Sequence, residues 1–169
     1  MVIHSKMFDK SSKTERPTIM VSGGFDPVHA GHIRMIRAAA EYGDVIVIAN
    51  SDAWLHDKKG FVFMDFNQRA EILNSIKGVI LVDSVDDSDG TVCEAIRRHK
   101  PTYFANGGDR GKTNTPEQDV CEELGVELLW AVGGDYKADA SSDLVNRFRK
   151  NKNSNKAAPK RTPKQHSER

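Results

Sequence analysis

The stretch Thr18-Ile-Met-Val-Ser-Gly-Gly-Phe-Asp-Pro-Val-His-Ala-Gly-His32, continuing as Ile33-Arg-Met-Ile-Arg-Ala-Ala-Ala-Glu-Tyr42, decides the fold class. Thr18 to Ser22 is an apolar run too short for a helix and suited to a buried strand. A Gly-Gly turn follows it. From His32 to Tyr42 the apolar residues fall at 33, 35, 36 and 38–40, the recurrence of a helix face, and Gly43 supplies a C-cap. The order is therefore strand, glycine loop, helix.

Outward from this unit the alternation repeats. Asp44 to Asn50 is nearly all apolar, as expected of a strand covered on both faces. An apparent short helix leads into the polar stretch His56 to Gly60. Asp65 caps a helix running to about Ile76, with Phe66, Ala70, Ile72, Leu73 and Ile76 inward. Val79 to Val82 reads as a third strand, Val92 to His99 as a helix stopped by Pro101, and Tyr103 to Ala105 as a fourth strand. Pro116 starts a helix that Gly125 ends, Val126 to Val132 is a fifth strand, and Ser141 opens a last helix through about Arg149. Strands separated by single helices pair in parallel through right-handed crossovers. The expected architecture is α/β: a Rossmann-like, doubly wound, five-stranded parallel sheet with helices on both faces. Ligands of such sheets bind beyond the C-terminal strand ends, which directs attention to the loops after Ser22, Asn50, Ala105 and Val132.

The 169 residues, 38% apolar and 29% charged, fit one globular domain, expected over 17–150. No run reaches the ~18 apolar residues of a membrane span, and residues 1–16 lack a signal-like apolar segment, so they read as a flexible leader of a cytoplasmic protein. Cys93 and Cys121 lie in separate helical segments without CxxC spacing, which favours reduced thiols over a metal or disulfide framework. The tail, 151–169, carries six Lys/Arg against Glu168, or +5; with a total of +1, residues 1–150 carry −4. Lacking large apolar residues, that tail is expected to be disordered. It could contact nucleic acid electrostatically, but composition alone favours a solvated end without a partner.

The loop Gly23-Gly24-Phe25-Asp26-Pro27-Val28-His29-Ala30-Gly31-His32 carries the chemistry. Glycines allow backbone to approach a phosphate, and a helix N-terminus offers N–H groups and partial positive charge. Two histidines three residues apart can both reach one phosphate there, donating to oxygens whose charge grows in a transition state. The structural alternative is a glycine turn with one capping and one incidental histidine.

On Gly23, Phe25, Asp26, His29, Gly31 and His32 the loop resembles the GxFDxxHxGH signature of the cytidylyltransferase-like superfamily of nucleotidyltransferases. Asn50-Ser51-Asp52-Ala53, Lys58-Lys59-Gly60, Asn67-Gln68-Arg69 and Gly107-Gly108-Asp109 follow in the family's order. They look most like the adenylyltransferase domain of ADP-heptose synthases, then like glycerol-3-phosphate cytidylyltransferases. The resemblance implies a nucleotidyltransferase domain from about Thr18 to Arg149. It also implies that CTP or ATP and a small phosphorylated substrate are joined with release of pyrophosphate. Mg²⁺ is implied as bound through the NTP phosphates, and a homodimer is common among such enzymes.

Carried over residue by residue, the resemblance makes His29 and His32 the groups that hold the α-phosphate. Lys58 and Lys59 would offset triphosphate charge; otherwise they are a solvated surface pair. Arg69, read on the polar side of its helix, would contact phosphate or substrate, or else pair with Asp65 or Glu71. Gly107, Gly108 and Asp109 would admit the nucleotide, with a plain capped turn as the alternative. Ser141 and Ser142 would hold the β/γ phosphates or simply cap the last helix, and Lys137 would stand in for a missing arginine. Trp54 and Trp130 read as core or pocket wall, and His4, His56, His99 and His166 as structural or solvent-exposed. A rival reading is a non-catalytic nucleotide- or RNA-binding module of the same fold that uses its basic tail.

Overall fold

The computed structural model describes residues 16–106, 115–134 and 141–156. Along them run β1 (Thr18–Gly23), α1 (Ala30–Ala39), β2 (Asp44–Ala49), α2 (Asp52–Lys59), α3 (Phe66–Asn74) and β3 (Val79–Ser84). Then come α4 (Cys93–His99), β4 (Tyr103–Asn106), α5 (Pro116–Leu124), β5 (Glu127–Trp130) and α6 (Ser141–Lys156). The sheet is five-stranded and parallel throughout, in the order β3-β2-β1-β4-β5. This is the expected Rossmann-like α/β architecture. The chain steps outward from β1 to β2 and β3, then returns across β1 to β4, so the strand order reverses between β1 and β4. That crevice is where a ligand of such a sheet is received.

Period-two alternation along the strands divides the core between the two faces. Met20, Ile46, Ile48 and Phe104 meet Cys93, Ile96, Val120 and Cys121 of α4 and α5. Ile19, Val21, Val45 and Val47 meet Ile36 and Ala39 of α1 and Leu73 of α3. Every residue of β2 from Val45 to Ala49 is buried, as its uninterrupted apolar run requires. Both cysteines are buried and unbridged.

Several element boundaries differ from the sequence pattern, most clearly in the first helix, the fifth strand and the last helix. The first helix begins at Ala30 rather than His32, because His29 is its N-cap, and it ends at Ala39 rather than Tyr42. Residues 40–43 form instead a tightened turn in which Glu41 and Tyr42 N–H donate to the Ala38 and Ala39 carbonyls. Gly43 is needed there, since a Cβ would lie 2.1 Å from the Pro17 carbonyl oxygen. The fifth strand is confined to Glu127–Trp130: Val126 N–H is taken by the Cys121 carbonyl behind Gly125, and Ala131 turns the chain at φ 55. The last helix continues to Lys156 rather than ending near Arg149.

Candidate active site

β1 delivers the chain into the glycine loop at the reversal point. Gly24 presses onto α2 so closely that a Cβ would come within 2.8 Å of Leu55 Cδ2. Phe25 takes a left-handed φ of 50 and is buried, with its ring edge-on to His32 at 4.9 Å. The two histidines form a reciprocal capping box at the start of α1. His29 Nδ1 accepts from Gly31 N–H (3.1 Å) and His32 Nδ1 accepts from His29 N–H (3.3 Å). Their rings stack with centroids 3.8 Å apart.

This arrangement fixes the tautomer. A ring nitrogen that accepts carries no proton, so each neutral imidazole holds its hydrogen on Nε2 and is a donor there. Burial pushes the His32 pKa down from 6.5 to about 3, with His29 and Lys59 adding to the effect. His32 is therefore neutral near pH 7 and donates through its Nε2–H.

Gly24, Phe25, His32, Trp54, Lys58, Lys59 and Ser141 surround one cleft of about 200 Å³. α2 brings the lysines. Its N-terminus is capped by Ser51, whose hydroxyl accepts from Trp54 N–H, and it ends at Gly60 in the left-handed conformation. Lys58 Nζ stands 4.2 Å from the centre of the Trp54 ring. Lys59 Nζ donates to the Asp26 carbonyl at 2.8 Å. Burial holds the Lys59 pKa below the usual lysine range, while Asp26 opposes that shift and Lys58 and Arg69 reinforce it. From the far side, Ser141 Oγ donates to the Pro27 carbonyl at 3.0 Å, which seats the N-terminus of α6 against the loop. The cleft thus joins an imidazole donor, two ammonium groups and the positive end of a sixteen-residue helix.

Arg69 is placed otherwise than its reading as a phosphate or substrate contact on the polar side of its helix, and Asp26 of the loop signature is likewise turned into the fold. Arg69 is fully buried beneath the loop. Its Nη1 donates to the Gly24 and Asn50 carbonyls, its Nε to the Met64 carbonyl and its Nη2 to Asp52. One guanidinium therefore bolts together the glycine loop, the end of β2, the start of α2 and the approach to α3. The Asp26 carboxylate, also buried, accepts from Phe63 and Met64 N–H and so fastens the segment between α2 and α3. Both residues have their polar groups engaged within the fold rather than in the cleft. Gly23 closes β1, and Gly31 N–H serves the histidine cap. Ser142 follows Ser141 in the first turn of α6. Gly107, Gly108, Asp109 and Lys137 lie outside the described residues.

The family model described as cytidylyltransferase-like matches residues 20–168, which takes in this loop, cleft and sheet. The chain belongs to the cytidylyltransferase-like family. By class it is a nucleotidyltransferase. Among similar proteins, the bifunctional protein HldE of Geobacter metallireducens is 34% identical over 121 residues, covering 69% of this chain and 24% of that protein. The bifunctional protein HldE of Aliarcobacter butzleri is 28% identical over 162 residues, covering 90% of this chain and 32% of that protein. The chain spans a quarter to a third of these relatives' length. A crystal structure of the lipopolysaccharide core biosynthesis protein from Thermoplasma volcanium superposes with a TM-score of 0.57 at 23% identity. It covers 69% of this chain and 94% of that one, a likeness of fold.

Two groups of this cytidylyltransferase-like domain carry more than sequence reading assigned them. Trp54, read as core or wall, is a wall shared by two hollows. Asp87, assigned nothing, is 4% exposed and accepts from Asn50 Nδ2, Ser51 N–H and Ser51 Oγ. Its signal lay in Asn50-Ser51-Asp52, a polar run closing an apolar strand, which needs a buried acceptor nearby. His99 pairs with Asp83 at 2.9 Å beside Arg98 at the end of β3, a structural contact as expected. Among the described residues no helix is long and apolar enough to cross a membrane.

Proposed function

We propose that this chain transfers AMP or CMP from ATP or CTP to a small phosphorylated substrate of sugar or polyol type, releasing pyrophosphate. The observation that carries this reading is the self-capped histidine pair, its Nδ1 atoms committed to the helix start and a neutral His32 facing two lysines across one cleft. The resemblance to the adenylyltransferase domain of ADP-heptose synthases supports ATP and a sugar phosphate within that range.

An oxygen of the acceptor phosphate attacks the α-phosphorus in line. The new P–O bond forms as the α–β bridging bond breaks, and pyrophosphate departs with that electron pair. No protein base is needed, because the attacking oxygen is already anionic; positioning and charge stabilisation are the enzyme's tasks. His29 and His32 donate to the α-phosphoryl oxygens, and Lys58, Lys59 and the α6 N-terminus offset charge gathering on the leaving group. Among the described residues no three His, Cys, Asp or Glu side chains converge as a metal cage. A magnesium ion bound through the triphosphate, as the family resemblance implies, would supply further charge neutralisation.

The test is pyrophosphate release from ATP, CTP and GTP with Mg²⁺ and a panel of sugar and polyol phosphates. His32→Asn keeps an acceptor near the Nδ1 position but removes the Nε2 donor. It is expected to lower turnover by about 10²–10³-fold with the fold intact. Wild-type turnover in that variant, or nucleotide retained with no pyrophosphate from any acceptor, sinks the catalytic reading.

A further inference from the structure

Of the side chains around the lysine cleft, His32, Lys58, Lys59 and Ser141 carry an atom able to attack an electrophilic carbon. Contacts hold three of them out of that role. His32 Nδ1 commits its lone pair to His29 N–H, which leaves the ring proton on Nε2. Ser141 Oγ donates to the Pro27 carbonyl, an acceptor that cannot take its proton away. Lys58 is exposed, with Nζ 4.2 Å from the centre of the Trp54 ring, a contact that suits an ammonium rather than an amine. Lys59 remains.

Lys59 is half-buried, and its Nζ is fixed by a 2.8 Å donation to the Asp26 carbonyl. That acceptor is uncharged, so a neutral amine keeps the bond through one hydrogen and still has its lone pair. Burial, which holds the Lys59 pKa below the usual lysine range, favours the neutral and nucleophilic form. Beside this amine the cleft gathers groups that suit a phosphate: the His32 Nε2–H, the Lys58 ammonium and the N-terminus of the sixteen-residue α6. A reagent whose phosphate is joined directly to a carbonyl carbon would be held there with that carbon next to Nζ.

We propose that Lys59 is an acylation site for acyl phosphates, the mixed anhydrides of a carboxylic acid with phosphoric acid. The Nζ lone pair attacks the acyl carbon and a C–N bond forms. The bond from that carbon to the phosphate oxygen breaks, inorganic phosphate leaves with the electron pair, and the surplus proton of the amine goes to it. A neutral amide replaces a cation. On the nucleotidyl-transfer reading, the amide removes a charge that offsets the leaving pyrophosphate, so acylation turns the transfer down. The modification itself needs only an amine in an anion-holding cleft.

Incubation of the full chain with acetyl phosphate, followed by digestion and mass spectrometry of the peptides, tests it. Lys77 and Lys100, exposed and outside the cleft, serve as references. Lys59 is expected to acquire acetyl at least about tenfold faster than Lys58 or either reference. Inorganic pyrophosphate is expected to slow labelling of Lys59 severalfold and leave the references unchanged. Even labelling of all these lysines, Lys58 ahead of Lys59, or labelling of Lys59 that pyrophosphate does not slow overturns the proposal. Turnover of the acetylated wild type should fall in proportion to Lys59 occupancy, whereas Lys59→Arg, a cation without the amine, should keep its own rate under the same treatment. Full turnover at high Lys59 occupancy overturns the regulatory part. The two readings fail separately. Selective acetylation of Lys59 in a protein that releases no pyrophosphate removes the transfer and keeps the site, and turnover without selective acetylation does the reverse.

Discussion

His29 and His32 on one hand, and Asp26 with Arg69 on the other, surround the same loop and have opposite surroundings. The histidines satisfy each other's helix end through Nδ1, and His32 fronts the cleft. Asp26 and Arg69 lie underneath, buried, with their polar groups turned onto backbone. The difference teaches that a polar residue in a ligand-binding motif can serve by holding backbone in place, and that burial together with a full set of partners separates that role from contact. It also makes the rigidity of the loop a property of residues far off in the chain: 45 positions separate Arg69 from Gly24.

The largest effect should come from breaking the lower half. Arg69→Ala removes a buried guanidinium and leaves the Gly24, Asn50 and Met64 carbonyls without that donor. A stability loss of about 3–5 kcal/mol is expected in urea unfolding. Arg69→Lys should recover only a fraction, because one ammonium cannot span four partners in different directions. Were Arg69 a ligand contact instead, the alanine variant would unfold like the wild type and show its defect in nucleotide affinity alone.

A smaller effect should distinguish the upper half by its pH dependence. The folded His32 has a pKa near 3 and the unfolded one near 6.5. Between those values the unfolded chain binds a proton that the folded chain refuses. Stability is therefore intact above about pH 6.5 and falls as pH drops toward 3, by at most about 1.4 kcal/mol per pH unit from this group. His32→Asn cannot titrate, so its urea midpoint should fall less than the wild type's between pH 7 and pH 5. Parallel losses in the two proteins would mean that His32 is not held neutral by the cap and its surroundings.

Much of this was legible beforehand, for reasons that particular residues make plain. The apolar runs at Thr18–Ser22 and Asp44–Asn50, with one helix between, admit little but parallel pairing, and the sheet follows. The histidine spacing places both rings at one helix end beside the candidate cleft, a local relation. Arg69 was misplaced although a local clue existed: it stands three residues after Phe66 and four before Leu73, the phase of the buried face rather than the polar one. Its partners at Gly24 and Asn50 come from loops that only the sheet brings together. The second hollow beside Trp54 was hidden for the same kind of reason, since it needs the β3 exit at Val85–Ser88 beside the start of α2. Strand order decides that proximity, and no spacing along the chain encodes it.

The smallest expected effect concerns how the loop is held from the opposite side. Arg69 grips it at the Gly24 carbonyl, and Ser141 grips it at the Pro27 carbonyl. The second hold is a single neutral hydrogen bond from a partly exposed hydroxyl, so Ser141→Ala should cost only about 0.5–1.5 kcal/mol in urea unfolding. Its consequence for function should be out of proportion to that figure. The bond ties a helix end with partial positive charge to the cleft, and under the proposed reaction loosening it would let that charge drift from the leaving pyrophosphate. Ser141→Ala should therefore lower kcat severalfold while hydrogen exchange at Gly31–Ile33 stays as protected as in the wild type, because the histidine cap is untouched. Loss of that protection would show instead that the last helix helps to hold the first one closed, and the two halves of the loop would no longer be independent.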